Sequence, residues 1–366
     1  MTLDADQVCN VCTLDIASHL VRNVAPVREA YEEFERNTPA PHHGRYDCLL
    51  MYSGGKDSTY LLDKMVNERG LRVLSYTFSP PFESDHAAGN IRLARERIPA
   101  TFVIDRDDGV TKVMRSVFGR PVPKGSGNYL DEKLPCLSCR TFFVIRAILR
   151  ARREGIPYIL ICADPQQTLT MEPSVRKIVR DFYRAFGRDL THELFGDEIE
   201  RLLVADEAEL PKIVFPFAAG RDEYDPERIV AELTAKGLYR SSPFETHCRL
   251  LPLLNHYSFR NWDCMFYKLN ASSQIRAFSR NGDRYRPTYS VRFPRTMDLP
   301  AIERELKRIT FEIAAGRGDA AAHEAALVDL FRRLGASDEA ARYVADNFLD
   351  MRPIAESLGI DLGEKR

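Results

Sequence analysis

No stretch of this chain approaches the roughly 18 consecutive apolar residues that a membrane-spanning helix needs, so a membrane span is not expected. Net charge is also missing. The 52 basic residues stand against 53 acidic ones, a formal balance of −1, and the strongly basic footprint of a nucleic-acid binder is absent. The amino-terminal Met1-Thr-Leu-Asp-Ala-Asp6 is acidic and has no apolar signal core, so a cytoplasmic location is expected. In that compartment the eight cysteines are expected to be ligands, nucleophiles or core residues and not disulfides. Internal repeats and low-complexity tracts are lacking too. What is there is a 366-residue chain, 44% hydrophobic and 29% charged. That is enough for one main domain with a sizeable core and smaller additions.

The chain is organised around residues 47–62, Asp47-Cys-Leu-Leu-Met-Tyr-Ser-Gly-Gly-Lys-Asp-Ser-Thr-Tyr-Leu-Leu62. The apolar run Cys48 to Tyr52 stops at Ser53, and a helical spacing of Tyr60, Leu61, Leu62 and Met65 follows. The pattern is strand, tight turn, helix. Adjacent Gly54 and Gly55 let backbone N–H groups approach an anion, because no Cβ intervenes. Ser53, Ser58 and Thr59 add hydroxyls, and the helix N-terminus adds partial positive charge. Lys56 suits phosphate oxygens, and Asp57 suits a hard cation such as Mg²⁺. The glycines and the lysine stand too close together for the Gly-x-x-x-x-Gly-Lys-Ser/Thr loop.

Around this turn the pattern predicts an α/β fold with a doubly wound parallel sheet covered on both faces. Strands are expected at Cys48–Tyr52, Arg72–Phe78, Pro99–Ile104 and Tyr158–Cys162. Helices are expected near 57–68, 86–97, 109–118 and 138–154. Ligands of such sheets lie beyond the strand carboxyl ends, where the turn at 53–58 opens. Residues 1–45 form an N-terminal segment with Cys9-x-x-Cys12 and a helix from about Ile16 to Arg36. Residues 46–295 form the main domain, in which 171–235 is mainly helical with a short apolar segment at Ile213–Phe217. Residues 296–366 form a helical C-terminal region, with helices at 299–315, 318–334 and 337–348.

Further candidate residues follow. Tyr76-Thr77-Phe78 ends the second strand beside the expected nucleotide, where backbone groups would read an adenine edge and the Phe78 ring would pack on it; a plain strand end in the core is the alternative. Cys136-Leu-Ser-Cys139 follows Pro135 at a helix start, where the helix dipole favours thiolate for metal ligation or attack. Cys9 and Cys12 make a second pair that suits Zn²⁺, completed by Cys136 and Cys139 or by His42 or His43. Cys248 lies in Thr246-His-Cys-Arg249, whose polar and cationic surroundings favour thiolate. Three thiolates converging on one cleft hold a [4Fe–4S] cluster with one iron left open. Cys48, Cys162 and Cys264 have apolar or aromatic neighbours in sequence and read as core residues. Lys268, Arg276, Arg280, Arg284 and Arg286 interleave with Tyr267, Phe278 and Tyr285. That pattern suits a nucleotide, a sugar phosphate or RNA, and equally a solvated helix face.

Ser53-Gly-Gly-Lys-Asp-Ser58 matches Ser-Gly-Gly-x-Asp-Ser, and the chain resembles the PP-loop (N-type) ATP pyrophosphatase superfamily. The Cys136/Cys139 pair at a helix head and the later Cys248 resemble the tRNA 2-thiolation enzymes. The stretch Tyr46–Tyr60 preceded by a Cys-x-x-Cys also resembles N-acetyl sugar amidotransferases. The resemblance covers roughly 45–290 and implies an adenine nucleotide alpha hydrolase-like sheet. It implies ATP with Mg²⁺ on Ser53, Gly54, Gly55, Lys56, Asp57 and Ser58. An acceptor oxygen attacks the α-phosphorus, pyrophosphate leaves, and a sulfur or nitrogen nucleophile then displaces AMP. Cys136, Cys139 and Cys248 match the cluster or catalytic cysteines of the thiolation enzymes. Where those enzymes carry a Gly-His-Asn-x-Asp-Asp-like element this chain reads Cys162-Ala-Asp-Pro-Gln-Gln167, and only Asp164 keeps a comparable polar role. Expected partners are a small-molecule, sugar or RNA acceptor, with a sulfur donor or a glutaminase subunit, and a homodimer is the expected assembly. Three functions stay open: an ATP-dependent sulfurtransferase, an ATP-dependent amidotransferase with structural Zn²⁺, and a nucleotide-binding protein without chemistry.

Overall fold

The computed structural model describes residues 24–38, 44–120, 134–163, 172–219, 224–241, 248–263, 265–266 and 298–362. Cys9, Cys12, His42, His43, Asp164, His247, Cys264 and the basic and aromatic residues of 267–286 lie outside them. The described residues fall into two compact units. One is drawn from Ala17–Val113 and Ser138–Ser241, the other from Met114–Leu137 and Ser242–Arg366.

The first unit is a doubly wound α/β fold. Its strands are β1 (Cys48–Met51), β2 (Val73–Phe78), β3 (Thr101–Asp105), β4 (Tyr158–Ile161) and β5 (Lys212–Val214). All pair in parallel, in the order β3-β2-β1-β4-β5. The central β1 carries Cys48-Leu-Leu-Met51, and Cys48, Leu49 and Leu50 are fully buried. An apolar run without alternation is what a strand covered on both faces requires. The order reverses direction between β1 and β4, and that switch point sets a crevice at the strand carboxyl ends.

Helices α1 (Val24–Asn37), α2 (Lys56–Asp63, continued by a π-turn at Lys64–Glu68) and α3 (Asp85–Arg97) belong to this unit. Leu61, Leu62, Met65, Ile91 and Ala94 join Cys48, Leu50, Tyr52, Val73 and Leu160 in one core. Helix α4 spans Gly109–Phe118, and α5 spans Leu134–Arg153. On α5, Phe142 and Phe143 meet Phe78 at ring-centre distances of 5.3 and 4.5 Å. Helices α6 (Val175–Phe195), α7 (Glu198–Val204), α8 (Pro216–Ala219) and α9 (Pro226–Ala235) complete the unit.

Two details differ from the sequence pattern. The short apolar segment at Ile213–Phe217 supplies the fifth strand, paired on β4 and cut to three residues between Pro211 and Pro216. Proline donates no ladder hydrogen bond, so the strand stays short and at the edge. Helix α5 begins at Leu134 and not at 138, because Pro135 in the first turn starts a helix at no hydrogen-bond cost.

The second unit is helical: α10 (Leu251–Trp262), α11 (Leu299–Ala314), α12 (Ala320–Arg333), α13 (Asp338–Leu349) and α14 (Met351–Leu358). Asp298, Asp319 and Ser337 cap α11, α12 and α13 by accepting backbone N–H bonds, which fixes where each begins. The three expected C-terminal helices are all present, and a fourth, α14, follows Asp350. No helix among the described residues is long and apolar enough to cross a membrane.

Two predictions follow from these packings. Gly54 has φ +74°, and a Cβ there would lie 2.5 Å from the Ala87 carbonyl oxygen of α3. Gly54→Ala is expected to lower unfolding free energy by about 2–4 kcal/mol, from left-handed strain plus overpacking. Gly55, at φ −80° and ψ 164°, should accept alanine at under about 1 kcal/mol by backbone strain alone; denaturant midpoints distinguish the two. Separately, burial and then the Arg260 charge hold the α10 imidazole of His256 down at about 4. A free histidine titrates near 6.5, so stability is full above about that pH and falls by on the order of 3 kcal/mol towards pH 4. His256→Phe, next to the Phe311 ring at 5.2 Å, should flatten that part of the pH–stability profile.

Candidate functional site

The turn after β1 is built by its own polar side chains. Tyr52 N–H extends the parallel ladder to the Tyr76 carbonyl at 2.8 Å. Ser53 N–H donates to Ser58 Oγ at 3.3 Å, and the two hydroxyls lie 3.2 Å apart. Ser58 Oγ and Thr59 Oγ1 donate to the Gly55 carbonyl at 3.1 and 2.8 Å. Gly55 begins α2 with no side-chain cap. A helix that starts this way, behind two glycines, is arranged as an anion site. The hydroxyls thus hold the loop in shape while its backbone forms the cradle.

Two charged residues stand at the first turn of α2. Lys56 Nζ lies 3.3 Å from Asp57 Oδ2, with side chains only 9% and 16% exposed. The hydroxyl of Tyr224, 167 residues further along, donates to Asp57 Oδ1 at 2.9 Å. A carboxylate beside a tyrosine hydroxyl is a hard oxygen donor that fits Mg²⁺. Cys162, half-buried at the end of β4, sits within electrostatic reach of Asp57. Burial, then Asp57 and Cys48, push its thiol well up, so it is a protonated neighbour of the turn and not a thiolate.

Beside the turn, the ends of β2 and β3 carry a second network. Tyr76 donates its hydroxyl to Asp105 at 2.7 Å. Arg146 of α5 pairs with Asp105 at 3.1 Å and Asp107 at 3.0 Å. Thr77 is buried, and its Oγ1 lacks a hydrogen-bond partner among the described residues. An orphaned buried hydroxyl at a strand carboxyl end is the kind of group a ligand satisfies. The Phe78 ring is stacked on Phe143, so it belongs to the layer between sheet and α5 and its ring is not offered to a base.

The cysteines are placed as follows. Cys136 is exposed, and Cys139 is half-exposed one turn later on α5. Because α5 starts at Leu134, Cys139 lies past the first turn, where the dipole has largely faded. Cys139, Phe143 and Arg146 share one face by helical spacing, so the Phe78 and Asp105 contacts fix the rotation of that face. Cys248 is half-buried, accepts the Leu250 N–H at 3.4 Å and lies in the same unit as Cys136, close enough to feel its charge. Burial and then Cys136 push its thiol up to about 12. This corrects the expectation of a ready thiolate: Arg249 is engaged by Asp350 in an ion pair and does not lower the thiol. Cys48 is fully buried, as expected of a core residue.

Among the described residues, one trio of possible metal ligands has donor atoms within 4.8 Å of one another: Asp63, Glu68 and Glu232. Lys236 already fills it, 2.8 Å from both Asp63 and Glu232. A single tetrahedral Zn²⁺ would hold sulfurs about 3.8 Å apart, from Zn–S bonds of about 2.3 Å. No cysteine trio at that spacing occurs among the described residues.

Local sequence reading missed Tyr224, Asp105 and Arg146, because each reaches the site by tertiary contact. It also missed Asn90 of α3, whose amide exchanges two hydrogen bonds with the Arg240 backbone at 3.1 and 3.0 Å.

No protein-family model and no curated protein matches this chain. Among solved structures, a U34-tRNA thiolase, NcsA, from Methanococcus maripaludis, with its [4Fe–4S] cluster, is similar over 68% of this chain and 80% of its own. The identity is 14% and the TM-score 0.32. An NMN synthetase from Francisella tularensis is similar over 68% of this chain and 94% of its own, at 8% identity and a TM-score of 0.29. Overlays this loose carry no argument about function, and the doubly wound α/β fold is read from the strand order itself.

Proposed function

We propose that this chain binds ATP with Mg²⁺ at the turn 53–58, adenylates an acceptor oxygen with release of pyrophosphate, and then directs sulfur transfer and release of AMP. The observation behind this reading is the turn: a Ser-Gly-Gly-Lys-Asp-Ser segment, an uncapped helix start, and Lys56 and Asp57 at its mouth. In the first step the acceptor oxygen attacks the α-phosphorus. The bond from that phosphorus to the bridging oxygen breaks, and pyrophosphate carries the electron pair away. The turn's N–H groups and Lys56 take up negative charge on the departing pyrophosphate, which is where preformed donors lower a barrier most. Asp57 would hold Mg²⁺, which would neutralise phosphate charge. In the second step a sulfide sulfur attacks the adenylated carbon and forms the carbon–sulfur bond as the carbon–oxygen bond breaks. AMP leaves with the former acceptor oxygen.

Cys136, Cys139 and Cys248 are the residues proposed to hold a [4Fe–4S] cluster, which would supply iron chemistry for handling sulfur. Cys136 and Cys248 interact electrostatically, which supports a pair of thiols that would give up their protons together on binding metal. Nitrogen transfer by an amidotransferase is the alternative outcome of the test below.

Two outcomes are expected. With ATP, Mg²⁺, a sulfide donor and a total tRNA pool as acceptor, the products are AMP and pyrophosphate, and Asp57→Asn lowers the rate by about 10²-fold or more. ADP and phosphate as products would rule the reading out. Anaerobically purified protein should contain iron and acid-labile sulfide, and Cys136→Ala and Cys248→Ala should lose both while binding ATP within about three-fold of wild type, since the thiols do not touch the phosphates. A colourless protein with stoichiometric zinc would favour nitrogen transfer.

A further inference from the structure

Asp57 is held from outside the turn, by a residue that no motif reading includes. We infer that Tyr224 is a positioning residue for the metal-binding carboxylate, and that its hydroxyl sets the Mg²⁺ dependence of nucleotide binding. The inference rests on the reading of 53–58 as an ATP·Mg²⁺ site.

The geometry carries it in three steps. First, both oxygens of Asp57 have a donor: Tyr224 on Oδ1 at 2.9 Å and Lys56 on Oδ2 at 3.3 Å. Each carboxylate oxygen offers two lone pairs, so the Tyr224 hydrogen bond on Oδ1 and a cation can share one carboxylate. Second, the two donors differ in what substrate does to them. Lys56 is the cation that meets phosphate oxygens, so it is drawn away from Asp57 when a triphosphate arrives. Tyr224 is neutral, so a triphosphate draws it less strongly than it draws Lys56, and its hydroxyl keeps the carboxylate oriented. Third, the Tyr224 ring is itself fixed. It packs edge-on against Phe217 at 5.0 Å, and Phe217 stacks on Tyr60 at 6.3 Å. Tyr60 lies one turn after Asp57 on α2, so the contacts close a ring that starts and ends on the same helix. A hydroxyl on so constrained a ring acts on the carboxylate as outer-shell hydrogen bonds act on metal ligands generally, by fixing orientation.

A packing role alone would change stability and nucleotide affinity together. A positioning role changes the Mg²⁺ requirement and leaves the fold alone. The test uses the full chain and a non-cleavable α,β-methylene analogue of ATP, with binding followed by calorimetry across a Mg²⁺ titration. Tyr224→Phe keeps the ring and removes the hydroxyl. Its Mg²⁺ midpoint should rise about ten-fold or more, with the thermal midpoint unchanged and affinity at saturating Mg²⁺ within about two-fold of wild type. A Mg²⁺ midpoint within about two-fold of wild type would overturn the inference, as would a loss of stability that accounts for the whole change. Asp57→Asn in the same titration separates the two levels. If Asp57→Asn abolishes the Mg²⁺ dependence and Tyr224→Phe leaves it intact, only the role of Tyr224 fails. If wild-type binding ignores Mg²⁺, or the analogue does not bind, the nucleotide reading and this inference fail together.

Discussion

One close approach governs the candidate site: the backbone at Gly54 lies against the Ala87 carbonyl of α3, where no side chain fits. That contact turns the chain sharply at the carboxyl end of the central strand, and it points the start of α2 into the crevice between the two halves of the sheet. The serine and threonine hydroxyls then serve the loop's own shape, with Ser58 and Thr59 bound back to Gly55. On the proposed reading Lys56, Asp57 and the backbone N–H groups at the start of α2 address the ligand. The strand order supplies the location, the glycine supplies the turn, and the uncapped helix supplies the charge.

Much of this was legible in the chain. Cys48–Met51 and Tyr158–Ile161 announce themselves as short apolar runs without alternation, the mark of strands buried on both faces. The glycine pair and its polar neighbours fix a turn whose chemistry is local. What was not legible is tertiary. Four residues between prolines gave no period from which to read β5, and its identity as a strand comes from pairing with β4. Tyr224 and Arg146 are ordinary residues in sequence and matter only because folding brings them to Asp57 and Asp105. Cys248 misled in the other direction: its sequence neighbours are polar, but burial and then Cys136 push its thiol up, and Arg249 is paired with Asp350.

The cysteine helix shows how the same scaffold can fix a second group. Phe143 stacked on Phe78, and Arg146 held between Asp105 and Asp107, bolt the middle of α5 to the ends of β2 and β3. A helix held at two points on one stripe cannot rotate, and Cys139 lies on that stripe. On the proposed reading this rigidity is what lets soft thiolates and a hard phosphate site coexist in one chain, each with donors matched to its own ligand. The near-neutral overall charge puts the burden of acceptor recognition on local groups and not on a long-range field.

The central claim is that the turn beginning at Ser53 grips a triphosphate with its inner phosphorus exposed to an acceptor. A crystal structure with Mg²⁺ and a non-cleavable ATP analogue tests it most directly. The account predicts the terminal phosphates against the 53–58 backbone, the metal on Asp57, and the α-phosphate open to the crevice. A nucleotide bound elsewhere, or a turn left empty at saturating analogue, would contradict it.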